Sequence, residues 1–367
     1  MTSIASNTAA FGGRYIPDGT PSAAGGMGSV EFCIDPQLER RVAIKFLLPG
    51  RDKRRVLDEV RALQAIRSKH VVQLYDVVIH QPGNQIGIVQ EFLPGNDLSG
   101  FWKTAPTPEQ FLRVLYQLAR GLEDIHAQDR IHRDIKPNNV RYDQENILKI
   151  FDFGLARADE DQDAQTRGYV GTDGFTAPEL HTTGIVRFTK AVDVYAFAVT
   201  AICLAKGKPS AELLERPPRP DAWVQARGFG TLAMSIPAAV CPLLDACLSS
   251  DPASRPNMRD VRALLEAHLV EGQHRALLTH TGGSYTCDAT RRSVVVQKPG
   301  LGTVTINYDG LGFFVTAAAG DVYLNNVPVT VNMRIPESCV LTLGSVGPGN
   351  QRLFVTVDIS RPEVVVP

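Results

Sequence analysis

The chain has 367 residues, 38 Lys+Arg against 39 Asp+Glu and a formal charge of −1, with 44% hydrophobic and 21% charged residues. That balance suits two globular domains, or one large domain with an appendage, and excludes a disordered chain. Near-zero net charge argues against general nucleic-acid or membrane-surface binding, since both need an excess of Lys and Arg. In chain order, residues 1–10 show no basic cluster followed by an apolar run, so no signal peptide is expected. β-like runs follow at residues 42–47, 71–79 and 86–92, interrupted by a helical stretch at 55–66 where Val56, Val60, Ala62 and Leu63 recur at helical spacing. From Pro108 helices dominate, and Phe111, Leu115, Leu118, Leu122 and Ile125 mark an amphipathic helix ending near His126. The longest apolar stretch, residues 191–205, contains Asp193 and falls short of the ~20 residues that span a bilayer.

Composition changes near residue 275: residues 276–367 carry 12 charged side chains, against 65 in the first 275. The tail has short alternating segments at 303–308, 327–331, 340–343 and 352–358, separated by Gly, Asn and Pro, as in a small β-sandwich. A linker is expected between Gly272 and Ser284. The six cysteines, Cys33, Cys203, Cys241, Cys247, Cys287 and Cys339, form no C-x-x-C pair, so reduced buried thiols and a cytoplasmic location are expected.

Chemistry concentrates in a few motifs. Gly25-Gly26-Met27-Gly28-Ser29-Val30 precedes a strand, and Lys45, in Val42-Ala43-Ile44-Lys45, follows Gly28 by 17 residues. Glycines let backbone amides approach phosphate oxygens without an intervening Cβ. Further on stand His132-Arg133-Asp134-Ile135-Lys136-Pro137-Asn138-Asn139, then Asp152-Phe153-Gly154, then Ala177-Pro178-Glu179. With these motifs in this order, residues 14–270 resemble the protein kinase family, and the Gly-Gly-Met-Gly loop looks most like the bacterial Ser/Thr kinases of eukaryotic type.

The resemblance implies an α+β, bilobal kinase fold at residues 14–272, with a β-rich N-lobe to about 93 and a helical C-lobe from 94. ATP and Mg²⁺ are the implied cofactors, and proteins with serine or threonine the implied substrates. Lys45 would hold the α- and β-phosphates, oriented by Glu59; Asp134 would orient the attacking hydroxyl; Asn139 and Asp152 would ligate Mg²⁺. Lys136, two residues after Asp134, implies a Ser/Thr acceptor. Gly25, Gly26 and Gly28 would cradle phosphates, Val30 and Ala43 would roof the adenine, Gln90 would be the gatekeeper, and Glu91 to Leu93 would form the hinge. Asp193 would anchor the catalytic loop, Arg255 would pair with Glu179, and Leu63, Leu74, His132 and Phe153 would stack as a spine. Arg133 implies ordering of the activation segment by phosphate, with Thr166 the autophosphorylation candidate and Thr172 shaping the acceptor site.

Two positions depart from the pattern. Ala23 stands where the family's first glycine usually falls, and Arg141 replaces the apolar floor under adenine. These keep a second reading open, a pseudokinase scaffold that transfers no phosphate.

The tail, residues 284–367, is similar to a forkhead-associated (FHA) sandwich through Val322-Tyr323-Leu324-Asn325-Asn326-Val327-Pro328-Val329 and Leu341-Thr342-Leu343-Gly344, without that family's Gly-Arg and Ser-x-x-His signatures. A degenerate docking or dimerisation module and a phosphoprotein reader, with Arg291 and Arg292 as its phosphate site, both remain open.

Overall fold

A computed structural model of the chain describes residues 10–25, 28–47, 60–61, 63–80, 85–153, 157–158, 166–167, 172–182, 185–186, 188–336, 338–345, 347 and 351–360. The chain divides into two compact units, Met1–Ala263 and Leu264–Pro367.

The first unit opens with an antiparallel sheet of β1 (Ile16–Pro17), β2 (Ala23–Gly25), β3 (Gly28–Asp35), β4 (Arg40–Leu47), β5 (Leu74–His80) and β6 (Gln85–Glu91). The strand order is β1-β3-β4-β6-β5, with β2 also pairing β3. Alternation sends Cys33, Val42, Ile44, Phe46 and Val89 into one core with Tyr15 and Val78. The opposite face carries Val30, Ala43 and Lys45, since Val30 pairs with Lys45 in register and Ala43 with Gln90. Gly28 closes the β2–β3 hairpin at φ 148°, where a side chain would be strained. Ala23 lies in β2 opposite Val30. Of the helical stretch expected at 55–66, residues 60–61 and 63–66 are described; 60–61 and 63–65 are helical and Ile66 is not.

Helices dominate from Pro108. Helix α1 (Pro108–Ala127) starts on a capping box, with Thr107 and Gln110 bonding each other's backbone and Pro108 in the first turn. Its stripe of Phe111, Leu115, Leu118, Leu122 and Ile125 is wholly buried. After it come β7 (Arg130–Ile131), the hairpin β8 (Val140–Tyr142) and β9 (Leu148–Ile150), and the short strands β10 (Arg157–Ala158), β11 (Thr166–Arg167) and β12 (Ile185–Val186). β7 pairs with β10, and β11 with β12. Helix α2 (Ala191–Lys206) is buried on nearly every side and stops at Gly207, whose φ of 88° makes it a left-handed cap. Shorter helices α3 (Ala211–Leu214), α4 (Pro220–Ala226) and α5 (Cys241–Cys247) precede α6 (Met258–Leu269). All six cysteines are free and buried. No helix among the described residues is long and apolar enough to cross a membrane.

The second unit is built of strands: β13 (Arg275–His280), β14 (Gly283–Cys287), β15 (Ser293–Lys298), β16 (Gly302–Tyr308), β17 (Phe313–Gly320), β18 (Val322–Leu324), β19 (Val327–Pro328), β20 (Ser338–Leu343) and β21 (Leu353–Ser360). They form a six-stranded sheet, β14-β13-β21-β20-β18-β19, and a three-stranded sheet, β15-β16-β17. Inward residues of both, among them Leu278, Leu341 and Val355 from the first and Val296, Val304 and Val315 from the second, share one core. The hairpin β18–β19 turns at Asn325 and Asn326, both at positive φ (49° and 67°), as a two-residue primed turn requires.

Two expectations need correction here. The linker expected between Gly272 and Ser284 is instead β13 and the start of β14: Ala276 and Leu278 alternate inward, and the glycines at 282 and 283 make a hairpin turn. The β-rich unit therefore begins before residue 284. The strand expected at 327–331 shrinks to Val327–Pro328 on the sheet edge, with one further bond from the Val329 N–H to the Val322 carbonyl before the chain turns away.

Two measurements follow from this architecture. Residues 264–367 alone are expected to melt cooperatively by circular dichroism, whereas 285–367, lacking the β13 that lies between β14 and β21, should not; a cooperative melt of the shorter fragment would contradict this placement. In the first unit, His70 is buried with Nδ1 3.0 Å from the Leu148 carbonyl, and burial lowers its pKa from 6.5 to about 4. The unfolded chain takes up that proton first, so between pH 6.5 and 4 stability should fall with pH by roughly 1.4 kcal/mol per unit from this group. Denaturant titrations of His70→Gln should show a shallower slope in that window.

Candidate active site

The site hangs from one buried carboxylate. Asp193, in the first turn of α2, is fully inaccessible and accepts hydrogen bonds from the backbone N–H groups of His132 and Arg133, each 2.8 Å. His126, from the last turn of α1, places Nε2 2.9 Å from the same carboxylate. Burial pushes the Asp193 carboxyl up, but the hydrogen bond and charge of His126, with the charge and backbone N–H of His132, outweigh it and hold the group below its ordinary value. Arg133 sits at φ 70°, in the left-handed region, and the two bonds to Asp193 hold that strained turn.

The turn delivers Asp134 and Lys136. Lys136 Nζ lies 2.9 and 2.8 Å from the two carboxylate oxygens of Asp134 and 3.0 Å from Thr172 Oγ1. Thr172 in turn donates to Asp134 Oδ1 at 2.9 Å. Asn139 donates through Nδ2 to the Asp134 carbonyl (2.7 Å) and to Asp134 Oδ2 (2.8 Å). This leaves the Asn139 amide oxygen as its ligand atom for a cation.

Opposite stands the second ion pair. Lys45 Nζ, on β4, is 2.7 Å from Asp152 Oδ1. Burial raises the Asp152 carboxyl, yet the Lys45 ammonium lowers it further, by charge and hydrogen bond, so the group lies below its usual range. Asp152 is itself at φ 67°. Phe153, fully buried, meets the ring of His132 at 4.7 Å, and His132 Nε2 lies 3.1 Å from the Phe151 carbonyl. His132 is thus packed and bonded, as a spine residue would be; Leu63 is buried and Leu74 half-buried.

Donor types fit a hard cation. Asp152 and Asn139 offer oxygens alone, a set that suits Mg²⁺ when phosphates and water complete the shell. Among the described residues no cluster of three or more His, Cys, Asp or Glu could hold a metal by itself.

The structure also locates the other expected residues. Arg255 makes a bidentate pair with Glu179 at 2.7 and 2.8 Å and bonds the carbonyls of Ala191 and Ser249. Glu91 donates its N–H to the Gln73 carbonyl, and its carboxylate accepts from the Gln73 N–H and pairs with Lys149; Leu93 is buried. The Arg133 guanidinium lies 4.2 Å from the centre of the Phe188 ring. Thr166 pairs through its backbone with Val186. Gly26, Glu59 and Gly154 lie outside the described residues. In the second unit, Arg291 and Arg292 are exposed, and Arg291 lies 5.9 Å from the Tyr285 ring.

Two contributors were not singled out by the sequence reasoning. His126 had a signal, since it follows Leu122 by one helical turn on the buried stripe. Phe188 had none, because nothing local ties it to Arg133.

Comparison with known proteins agrees with this geometry. A protein kinase domain model matches residues 23–265. The mitogen-activated protein kinase HOG1 of Eremothecium gossypii is 35% identical over 201 residues, covering 53% of this chain and 43% of its own. HOG1B of Wallemia ichthyophaga is 36% identical over 202 residues (53% of each chain). The mitogen-activated protein kinase mpkC of Aspergillus oryzae is 34% identical over 194 (52% and 55%). The chain spans about half the length of the curated relatives it matches. These fungal relatives lend no support to the bacterial branch that the Gly25–Gly28 loop resembles.

Replacing Asp193 by Asn turns one oxygen into a donor that faces a backbone N–H or His126. Chemical denaturation should show a loss of roughly 2–4 kcal/mol in the first unit. The wild-type contribution, from a depressed carboxyl, is present above pH 4 and lost as pH falls through the folded pKa. Unchanged stability of Asp193→Asn would show that the loop does not depend on this carboxylate.

Proposed function

The chain belongs to the protein kinase family, and on that premise we propose that it transfers the γ-phosphoryl group of ATP to serine or threonine hydroxyls of protein substrates. The observation that carries the reading is Lys136, whose ammonium joins Asp134 to Thr172. A carboxylate, a cation and a hydroxyl at bonding distance are what an incoming alcohol needs: Asp134 orients it and takes its proton, while Lys136 neutralises charge on the transferred phosphate. Thr172 holds both in place.

Lys45 holds the α- and β-phosphates and is kept forward by Asp152. Asp152 and Asn139 would hold Mg²⁺, which would supply charge neutralisation to the transferring phosphoryl group. Val30 and Ala43 cover the base. Glu59 orients Lys45 in this reading, and Thr166 is the site of activating autophosphorylation, close in sequence to the acceptor-shaping Thr172. The second unit, with its two sheets and exposed Arg291 and Arg292, is read as an FHA-like β-sandwich for docking a partner or phosphoprotein. A cytoplasmic site accords with six free thiols.

The test is incubation of the full chain with labelled ATP, Mg²⁺ and a generic Ser/Thr protein substrate, followed by phosphosite mapping. Transfer to serine and threonine is expected. Lys45→Met and Asp152→Asn should each lower turnover on the order of a thousandfold while the protein stays folded. Wild-type-like turnover in folded Asp152→Asn would sink the assignment, and nucleotide binding without transfer in the wild type would favour a scaffold.

A further inference from the structure

Three charged side chains meet away from the cleft face of the N-terminal sheet, and the transfer chemistry uses none of them. Glu91 ends β6 and pairs in register with Val42, which belongs to the core on the face opposite Val30, Ala43 and Lys45. Its carboxylate meets Lys149 Nζ at 3.0 Å, and the same ammonium lies 3.4 Å from Asp143 Oδ2. Lys149, on β9, is only 5% exposed. Asp143 is fixed in turn, since its Oδ1 accepts the N–H groups of Glu145 and Ile147 in the β8–β9 hairpin. The three line a groove of about 600 Å³ whose walls include Tyr75 and Phe92 but neither Lys45 nor Asp152.

The ion pairs close a ring of chain. Ile150, next to Lys149, donates its N–H to the His70 carbonyl and accepts from the Val72 N–H, each at 2.9 Å. Gln73 accepts the Glu91 N–H on its carbonyl and returns its own N–H to the Glu91 carboxylate. Lys149 completes the circuit that runs from β9 through residues 70–73 to the end of β6 and back. Asp152 follows Lys149 by three residues on the same segment. A buried ion pair adds little stability beyond what apolar packing would give, and its better attested use is to fix the register of the elements that carry it. In the free protein Lys45 and Asp152 also bond each other across the cleft. Phosphates on Lys45 and a cation on Asp152 would compete with that bond, whereas the Lys149–Glu91 pair stands in a separate groove and would persist.

We propose that Lys149 is a positioning residue: paired with Glu91 and Asp143, it holds β9 in register with the end of β6, and so keeps Asp152 in place as a metal ligand once Lys45 has turned to the phosphates. The proposal rests on the kinase reading above and concerns only the metal-dependent part of nucleotide binding. Lys45, Val30 and Ala43 are carried by the N-terminal sheet itself, so the metal-independent part does not depend on Lys149.

The full chain is titrated calorimetrically with ATP, once with Mg²⁺ and once with EDTA in its place, as wild type, as Lys149→Met and as the double variant Glu91→Gln/Lys149→Met. Circular dichroism checks the fold of each. The double variant is included because Lys149→Met alone strands a buried carboxylate and lowers stability, whereas Glu91→Gln removes that charge and keeps an acceptor for the Gln73 N–H. Residues that orient a metal ligand commonly govern metal affinity by ten- to a hundredfold. Both variants should therefore bind ATP with Mg²⁺ about tenfold more weakly than wild type, and ATP in EDTA within about twofold of it. An equal loss in the two conditions, or no loss in the folded double variant, overturns the proposal and leaves the kinase reading standing. A wild type whose ATP binding is not tightened by Mg²⁺ also overturns it, because no metal-dependent part would then exist to be positioned. A wild type that binds ATP in neither condition overturns the kinase reading, and this inference falls with it.

Discussion

A single buried carboxylate, Asp193, sets the backbone on which the chemistry is mounted. Helix α2 is otherwise apolar on nearly every side, and an isolated charge in such surroundings would be prohibitively costly. Three donors converge on it, and two are consecutive N–H groups of the catalytic loop. Charge-assisted bonds of this kind are roughly twice as strong as neutral ones. They offset the cost of holding Arg133 at positive φ, which is of order 1–3 kcal/mol. The helix therefore does more than fill the core: its first turn fixes the direction in which Asp134 leaves the loop.

Around that anchor, charge is arranged in pairs across the cleft. Lys136 answers Asp134 and Lys45 answers Asp152, so neither carboxylate stands alone in a poorly hydrated site. Arg255 answers Glu179 and also bonds the first residue of α2 through the Ala191 carbonyl. The end of the segment bearing Thr172 is thereby tied to the same helix that anchors the catalytic loop. A displacement of α2 would move both at once, which is a physical reason for the two to share one support.

Much of this was legible in the chain. The stripe from Phe111 to Ile125 announced α1, and the family resemblance named Asp193 as the anchor of the loop at residues 132–139. The catalytic residues stood in short motifs because a tight turn places sequence neighbours side by side. What was not legible depends on distance in the chain. The Glu91–Lys149–Asp143 network and the Arg133–Phe188 contact join residues with no common pattern. β13 was hidden for a different reason: only Ala276 and Leu278 point inward, and the glycines beside them read as a loop when they are its hairpin turn. Residues 327–331 are the converse, an apolar alternation that looks like a full strand but pairs as one only at Val327–Pro328.

The polar atoms in and around the cleft differ in how completely they are matched. At the acceptor end Asp134, Lys136, Thr172 and Asn139 bond one another, so the geometry is set before any substrate arrives, and preorganised groups need little rearrangement as charge develops. Elsewhere, Gln90 on β6 and Arg141 on β8 each keep a buried nitrogen without a partner among the described residues. Buried polar atoms are rarely left so in folded proteins, and leaving them is unfavourable unless a bound molecule supplies the acceptor. The acceptor end is thus rigid and general, suited to any hydroxyl that can reach Asp134.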